Sequence, residues 1–261
     1  MDEAKRHEQG TYLLTKEFFN VQALLTRVRG YAEVAPQAVN AAANAIYAKQ
    51  LKVMNWLLNM EGTERYFGDK EAFRAAGKHS AAAKLIAETK VTDAAAFARS
   101  SAFVFAHSVM DVSITSLCEA AILVRTEDWI DYIGDQKVTV ADIQSRPSHE
   151  LITDRLAGLV HKLSRESIVY RLERLLTVLK PGKEYEGLRD YSLSIDTIKN
   201  YDRTRQDIIH ERRFDIQLDR LEESIAYMES SFLYFAFLIL WRYNATLNER
   251  AWAEALQRPL G

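Results

Sequence analysis

The sequence is poor in residues that punctuate or cross-link a chain. A single cysteine, Cys118, stands among 261 residues. This excludes a disulfide framework and a multi-cysteine zinc site, and it fits a reducing cytosol. The 10 Gly and 4 Pro amount to about half the usual combined share of roughly 12%, so turns are scarce and long uninterrupted elements are expected. Charge of one sign is also missing: 34 Lys and Arg against 36 Asp and Glu leave a formal net charge of −2. That balance argues against a protein held on duplex nucleic acid by bulk charge. The most apolar run, Phe232–Trp241, is half the length of about 20 residues that a membrane-spanning helix needs. The first ten residues lack the apolar core of a secretory signal. The chain is expected to be soluble and cytoplasmic. No GxGxxG turn, GxxxxGK[ST] loop, GxSxG elbow or HExxH zinc helix occurs, and the histidines at 7, 79, 107, 149, 161 and 210 are scattered. No cofactor and no metal are expected.

What the sequence does contain is helical periodicity over an ample apolar content of 48%, which predicts an all-α fold. Tyr12–Arg29 carries a one-sided apolar stripe. Pro36 stands where a second helix, Ala38–Met60, can begin, and Lys78–Lys90 is Ala-rich and helix-prone. Thr92 or Asp93 is placed to cap a long helix to about Ile133. Lys137–Val140 is the one extended stretch. Pro147–Ser148 opens a helix to about Lys180, stopped by Pro181–Gly182. A looser region, 182–194, precedes a helix from about Ser194 to Arg213. Asp215 then caps a final long helix, Ile216–Leu247, and a short helical tail ends before Pro259. A composition shift near Thr89–Asp93 divides an N-terminal helical region (1–92) from a helical core (93–250) and a tail (251–261).

The segment Tyr201-Asp-Arg-Thr-Arg-Gln-Asp-Ile-Ile-His-Glu-Arg-Arg213 concentrates four arginines and a histidine in a slightly acidic chain. On charge alone it reads as a solvated helix face, since Asp202, Asp207 and Glu211 are interleaved. The residue types say more. Arginine offers a planar fork matched to phosphate oxygens, and histidine exchanges a proton near neutral pH without a large pKa shift.

Arg205, the polar Gln206, the pair Ile208–Ile209 and His210 resemble the Arg-x4–6-His motif of the HEPN family (higher-eukaryote-and-prokaryote nucleotide-binding domains). Gln206 stands where the family commonly has Asn. The likeness extends to an apolar helix bearing Glu119, a long second helix, the motif helix and a closing helix, over roughly residues 95–247. It implies a HEPN-like helical bundle with an N-terminal extension. It further implies a metal-independent endoribonuclease acting on RNA as a homodimer with a shared cleft, or a catalytically silent relative that binds RNA, nucleotides or a partner. Many members are toxins or phage-defence effectors, which implies an antitoxin or other regulatory protein as a possible partner.

The chemistry suits these residues. RNA carries its own nucleophile, the 2′-hydroxyl, so His210 can accept that proton or protonate the departing 5′-oxygen. Arg205 can neutralise the phosphorane-like transition state, and Gln206 can hold a phosphate oxygen or orient the imidazole. The product would be a 2′,3′-cyclic phosphate. On a helix, Arg205 and His210 lie about 140° apart, whereas Arg203 lies within about 20° of the His210 face. Arg205 ranks ahead because the polar residue follows it, with Arg203 second. Asp207, one turn before His210, can fix its tautomer, Glu119 is a further supporting residue, and Arg212 and Arg213 extend the basic patch toward RNA.

Elsewhere the readings are structural. His107 and Asp111, four apart on an apolar helix, need partners if buried, and packing against the motif helix would supply them. His161 reads as structural. Arg171 and Arg174 read as a solvated face that could extend a basic groove. Phe232, Tyr234, Phe235, Phe237 and Trp241 read as core or dimer interface, and Cys118 as an inert buried thiol.

Overall fold

The structure, a computed structural model, describes residues 3–133, 147–181 and 194–257. Among them 87% are helical and no strand forms, so the all-α expectation is met. Eleven α-helices are described. They are α1 (Glu3–Ala41), α2 (Ala43–Asn59), α3 (Glu64–Phe67), α4 (Lys70–Ala75), α5 (Lys78–Val124), α6 (Ile130–Ile133), α7 (Ser148–Ser164), α8 (Ile168–Leu179), α9 (Ile195–Glu211), α10 (Leu218–Arg242) and α11 (Glu249–Leu256). A 3₁₀ turn, Thr126–Trp129, joins α5 to α6. The extended stretch expected at Lys137–Val140, most of the looser region 182–194 and the end of the tail beyond residue 257 lie outside the described residues.

The scarcity of Gly and Pro has its largest consequence in α5. Its 47 residues reach about 70 Å at 1.5 Å per residue, and every other large helix packs on it. Thr92 does not cap a helix there, because its hydroxyl donates to the Glu88 carbonyl at 3.0 Å inside the helix. The expected start at Thr92–Asp93 is therefore corrected, and no chain break marks residue 92. Likewise α1 runs through Pro36 to Ala41. Leu14, Val21, Leu25, Val28 and Ala32 of α1 share one apolar core with Phe103, Ile114 and Leu117 of α5 and Phe232 and Phe235 of α10.

Three further boundaries differ from expectation. The helix expected over Ser148–Lys180 breaks at Arg165–Ser167, where the Ser167 hydroxyl accepts the Tyr170 N–H at 3.2 Å and restarts it as α8. The helix expected to run to Ile133 ends at Val124. Asp215 is not the cap of α10, whose N-cap position is Gln217 without a side-chain bond. Asn248 does cap α11, accepting the Ala251 N–H at 3.1 Å. Two helices have the length and apolarity of a membrane span: α5 and the part of α10 from Asp219, with mean hydropathy 1.3 and 1.4 over their most apolar 18 residues. Both lie at the centre of the bundle, with about half of those windows covered by neighbouring helices.

The α1–α5 crossing depends on one glycine. A Cβ on Gly10 would lie 2.8 Å from the Val124 backbone nitrogen and 2.9 Å from the Ala120 carbonyl oxygen, and backbone atoms cannot swing aside as a flexible side chain can. We expect Gly10→Ala to lower stability by about 1–3 kcal/mol through overpacking, measured by urea denaturation. An unchanged midpoint would show that the helices separate freely.

Candidate functional site

The sequence placed the motif helix closely. Ser194 caps α9, its hydroxyl accepting the Thr197 N–H at 3.3 Å, and Tyr227 of α10 clamps the same turn by donating to the Ser194 carbonyl at 3.0 Å. Ile198 and Ile208 are the buried residues of α9, so the face that carries them is the inner one. Tyr201 packs edge-on to Phe103 of α5 and Tyr227 of α10, with ring centroids 5.9 and 5.6 Å apart. The helix ends at Arg212, which adopts a left-handed conformation (φ 55°) and donates its N–H to the Asp207 carbonyl.

This inner face determines where the motif side chains go. Arg203, Gln206 and His210 are exposed, whereas Arg205, Asp202 and Asp207 are partly buried. The structure thus brings Arg203, Gln206 and His210 onto one outer face. It does not bring Arg205 to His210, and the two lie about 140° apart as the helical repeat requires. Among the described residues His210, Gln206 and Arg203 make no hydrogen bond through their side chains to another residue. The left-handed cap splits the two arginines that follow. Arg212 borders an apolar groove with Phe97, Phe105 and Ile209, while Arg213 pairs with Glu211 at 2.8 Å and borders a polar cleft toward α10.

Arg205 belongs to a polar cluster that the sequence foreshadowed only in part. His107 of α5 is 4% exposed, and its Nε2 lies 3.5 Å from the Asp202 carboxylate of α9. Neither ring nitrogen makes a well-formed hydrogen bond. That separation is long for a hydrogen bond, so the contact is electrostatic and loose. Burial pushes the His107 pKa below its ordinary value of 6.5; Arg205 and Arg171 act in the same direction, and Asp202 and Asp111 oppose them. Arg171 of α8, expected on a solvated face, is instead 2% exposed. It donates to the Asp111 carboxylate and the Thr115 hydroxyl, and at 2.9 Å to the Asp111 carbonyl. An arginine among apolar residues was misread because its acidic partner lies 60 positions away in sequence. Arg174 stays nearer the surface, stacked on the rings of Tyr132 and Tyr170.

Glu119 sits apart from the motif helix. It lies eight residues beyond Asp111, about 12 Å along α5, and lines a cavity of about 390 Å³ with Gln9 of α1 and His161 of α7. Partial burial raises its pKa. Cys118 is fully buried and its thiol is pushed up to about 12 by desolvation, as expected of an inert thiol. No cluster of three or more His, Cys, Asp or Glu side chains with metal-binding geometry occurs among the described residues. Compared with models of known families, with curated proteins and with solved structures, the chain matches none.

The buried imidazole ties stability to pH. A histidine whose folded pKa is depressed takes up its proton more readily in the unfolded chain, so its contribution is full above about 6.5 and is lost as pH falls below that value. Replacing His107 with Gln should flatten the fall in melting temperature between pH 7 and 5.5 relative to wild type. An unchanged pH dependence would show that His107 does not titrate with unfolding.

Proposed function

We propose that this protein is a metal-independent endoribonuclease of the HEPN type, acting in the cytoplasm as a homodimer. The observation that carries this reading is the outer face of α9, where His210, Gln206 and Arg203 stand exposed together on a helix packed against α5 and α8. An imidazole, an amide and a guanidinium on one face supply the groups needed to cut RNA with its own 2′-hydroxyl. His210 transfers the proton, Arg203 stabilises charge on the phosphoryl oxygens, and Gln206 orients one of them. Arg203 takes precedence over Arg205 here, since it shares the His210 face. In a two-fold dimer built on this outer face, Arg203 of one copy can reach the cleft holding His210 of the other, because symmetric interfaces juxtapose the two copies of one surface. Arg212 adds positive charge beside the cleft. The role fits a toxin or defence effector held in check by a regulatory protein.

A second reading, a catalytically silent RNA-binding or partner-binding relative, draws on the inward side that Arg205 presents to His107 and Asp202. Incubation of single-stranded RNA with the pure protein in EDTA separates the two. We expect cleavage leaving 2′,3′-cyclic phosphate ends, a loss of about 10²–10⁴-fold in His210→Ala, and a larger loss in Arg203→Ala than in Arg205→Ala. Full activity in His210→Ala would sink the mechanism, and binding without cleavage would favour the silent relative.

A further inference from the structure

On the other flank of α9 lies a cleft of about 440 Å³ between α9 and α10, within the size range of small-molecule sites. Its rim carries charges of both signs: Asp207 and Arg213 from the end of α9, Asp215 from the connection, and Arg220 and Glu223 from α10, above a floor of Tyr201 and Phe103. Opposite charges set this close on a folded surface ordinarily pair. Among the described residues, Arg220, Asp207, Asp215 and Glu223 form no ion pair across the cleft, and Arg213 pairs only with Glu211 on the chain next to it. Asn200 adds an uncommitted side-chain amide to the same wall. Three carboxylates against two guanidiniums make the cleft unsuited to a bare anion, and the two guanidiniums make it unsuited to a simple cation.

The geometry points to a binding site for a guanine base in the cleft between α9 and α10, with Arg220 and Arg213 facing its acceptor edge and Glu223 and Asp207 its donor edge. Guanine alone among the four RNA bases offers two adjacent acceptors, O6 and N7, on one side and two adjacent donors, N1–H and N2–H2, on the other. The first pair matches the arginine fork. The second pair matches a carboxylate, which has two oxygens and only accepts. Adenine, cytosine and uracil each set a donor beside an acceptor on the pairing edge, so a carboxylate facing them meets a lone pair. The half-buried Tyr201 ring gives the base a flat neighbour at the floor. Asp207 is one turn before His210 on α9, so a guanine held here lies alongside the outer face that carries the cutting residues. As a subsite for an RNA chain the inference rests on the nuclease reading above; as a site for free guanine nucleotide it stands without it.

Titration calorimetry on the full chain in EDTA tests it, with guanosine 5′-monophosphate, the other three nucleoside monophosphates, and 2′-O-methyl RNA oligonucleotides holding one guanine or one adenine. We expect the guanine nucleotide to bind at least about tenfold tighter than the others. Glu223→Gln, nearly isosteric, and Arg220→Gln should each abolish that preference while circular dichroism stays that of the wild type. Preference for the guanine-bearing oligonucleotide over the monophosphate marks an RNA subsite, and the reverse marks a nucleotide site; both support the cleft. Equal binding of all four bases, no binding of guanosine monophosphate, or an unchanged preference in both variants would overturn it. Selective binding by a protein that cuts no RNA would leave the cleft standing and the nuclease reading fallen. Cutting without any guanine binding would do the reverse.

Discussion

The polar contact between α5 and α9 decides what the protein presents to its surroundings. Within a long apolar helix, α5 carries His107 and Asp111, and groups of that kind must be satisfied by neighbours once they leave water. Arg171 of α8 satisfies Asp111, whereas His107 finds only a loose electrostatic contact with Asp202 of α9 at 3.5 Å. These partners, together with Ile198, Tyr201 and Ile208, set the rotation of α9 about its axis. Once that rotation is set, the remaining side chains have no choice of direction: Arg203, Gln206 and His210 point outward, and Asn200, Thr204 and Asp207 point toward α10. The Arg171–Asp111 pair adds little net stability, since buried ion pairs seldom exceed their desolvation cost. What the junction supplies is orientation.

A chain with formal net charge −2 is a poor candidate for holding nucleic acid by its overall field. The local arrangement allows what the total does not. Arg203 and Arg212 stand near His210, while Arg213 and Arg220 are set among carboxylates where their charge is balanced. Such balance weakens the grip on an arbitrary phosphate and favours a ligand that offers donors and acceptors in a fixed pattern. The scarcity of glycine belongs to the same picture, because without a glycine-rich loop to wrap phosphate with backbone N–H groups, recognition falls to side chains on rigid helices. Rigid helices hold such groups more accurately than loops do.

Much of this was legible in the sequence, and the reasons for the rest are physical. The limits of α9 were expected at about Ser194 and Arg213, and the helix Ile195–Glu211 stands within a residue or two of both. The angular separation of Arg205 from His210 followed from the helical repeat alone. The continuity of α5 across Thr92–Asp93 was not legible, because threonine and aspartate serve as caps yet also stand inside helices, where a threonine hydroxyl bonds back to the preceding turn. Asp215 has the composition of a cap, yet the chain needs two more residues to round the left-handed turn at Arg212 before α10 can start. Arg171 was misread because burial of a charge is a property of the packed partners, and its partner Asp111 belongs to a distant segment. The cleft beside α10 required tertiary structure altogether, since its two walls are joined only by the fold.

The proposed nuclease depends on α9 turning His210 outward, where RNA can reach it, while His107 stays sealed inside. Nitrogen-15 imidazole spectra recorded while 2′-O-methyl RNA is added test it directly, because that RNA cannot supply the 2′-hydroxyl nucleophile and the complex persists. The His210 ring signals are expected to shift on binding while those of His107 stay in place. Movement of His107 with His210 unaffected, or no movement of either ring at saturating RNA, would contradict it.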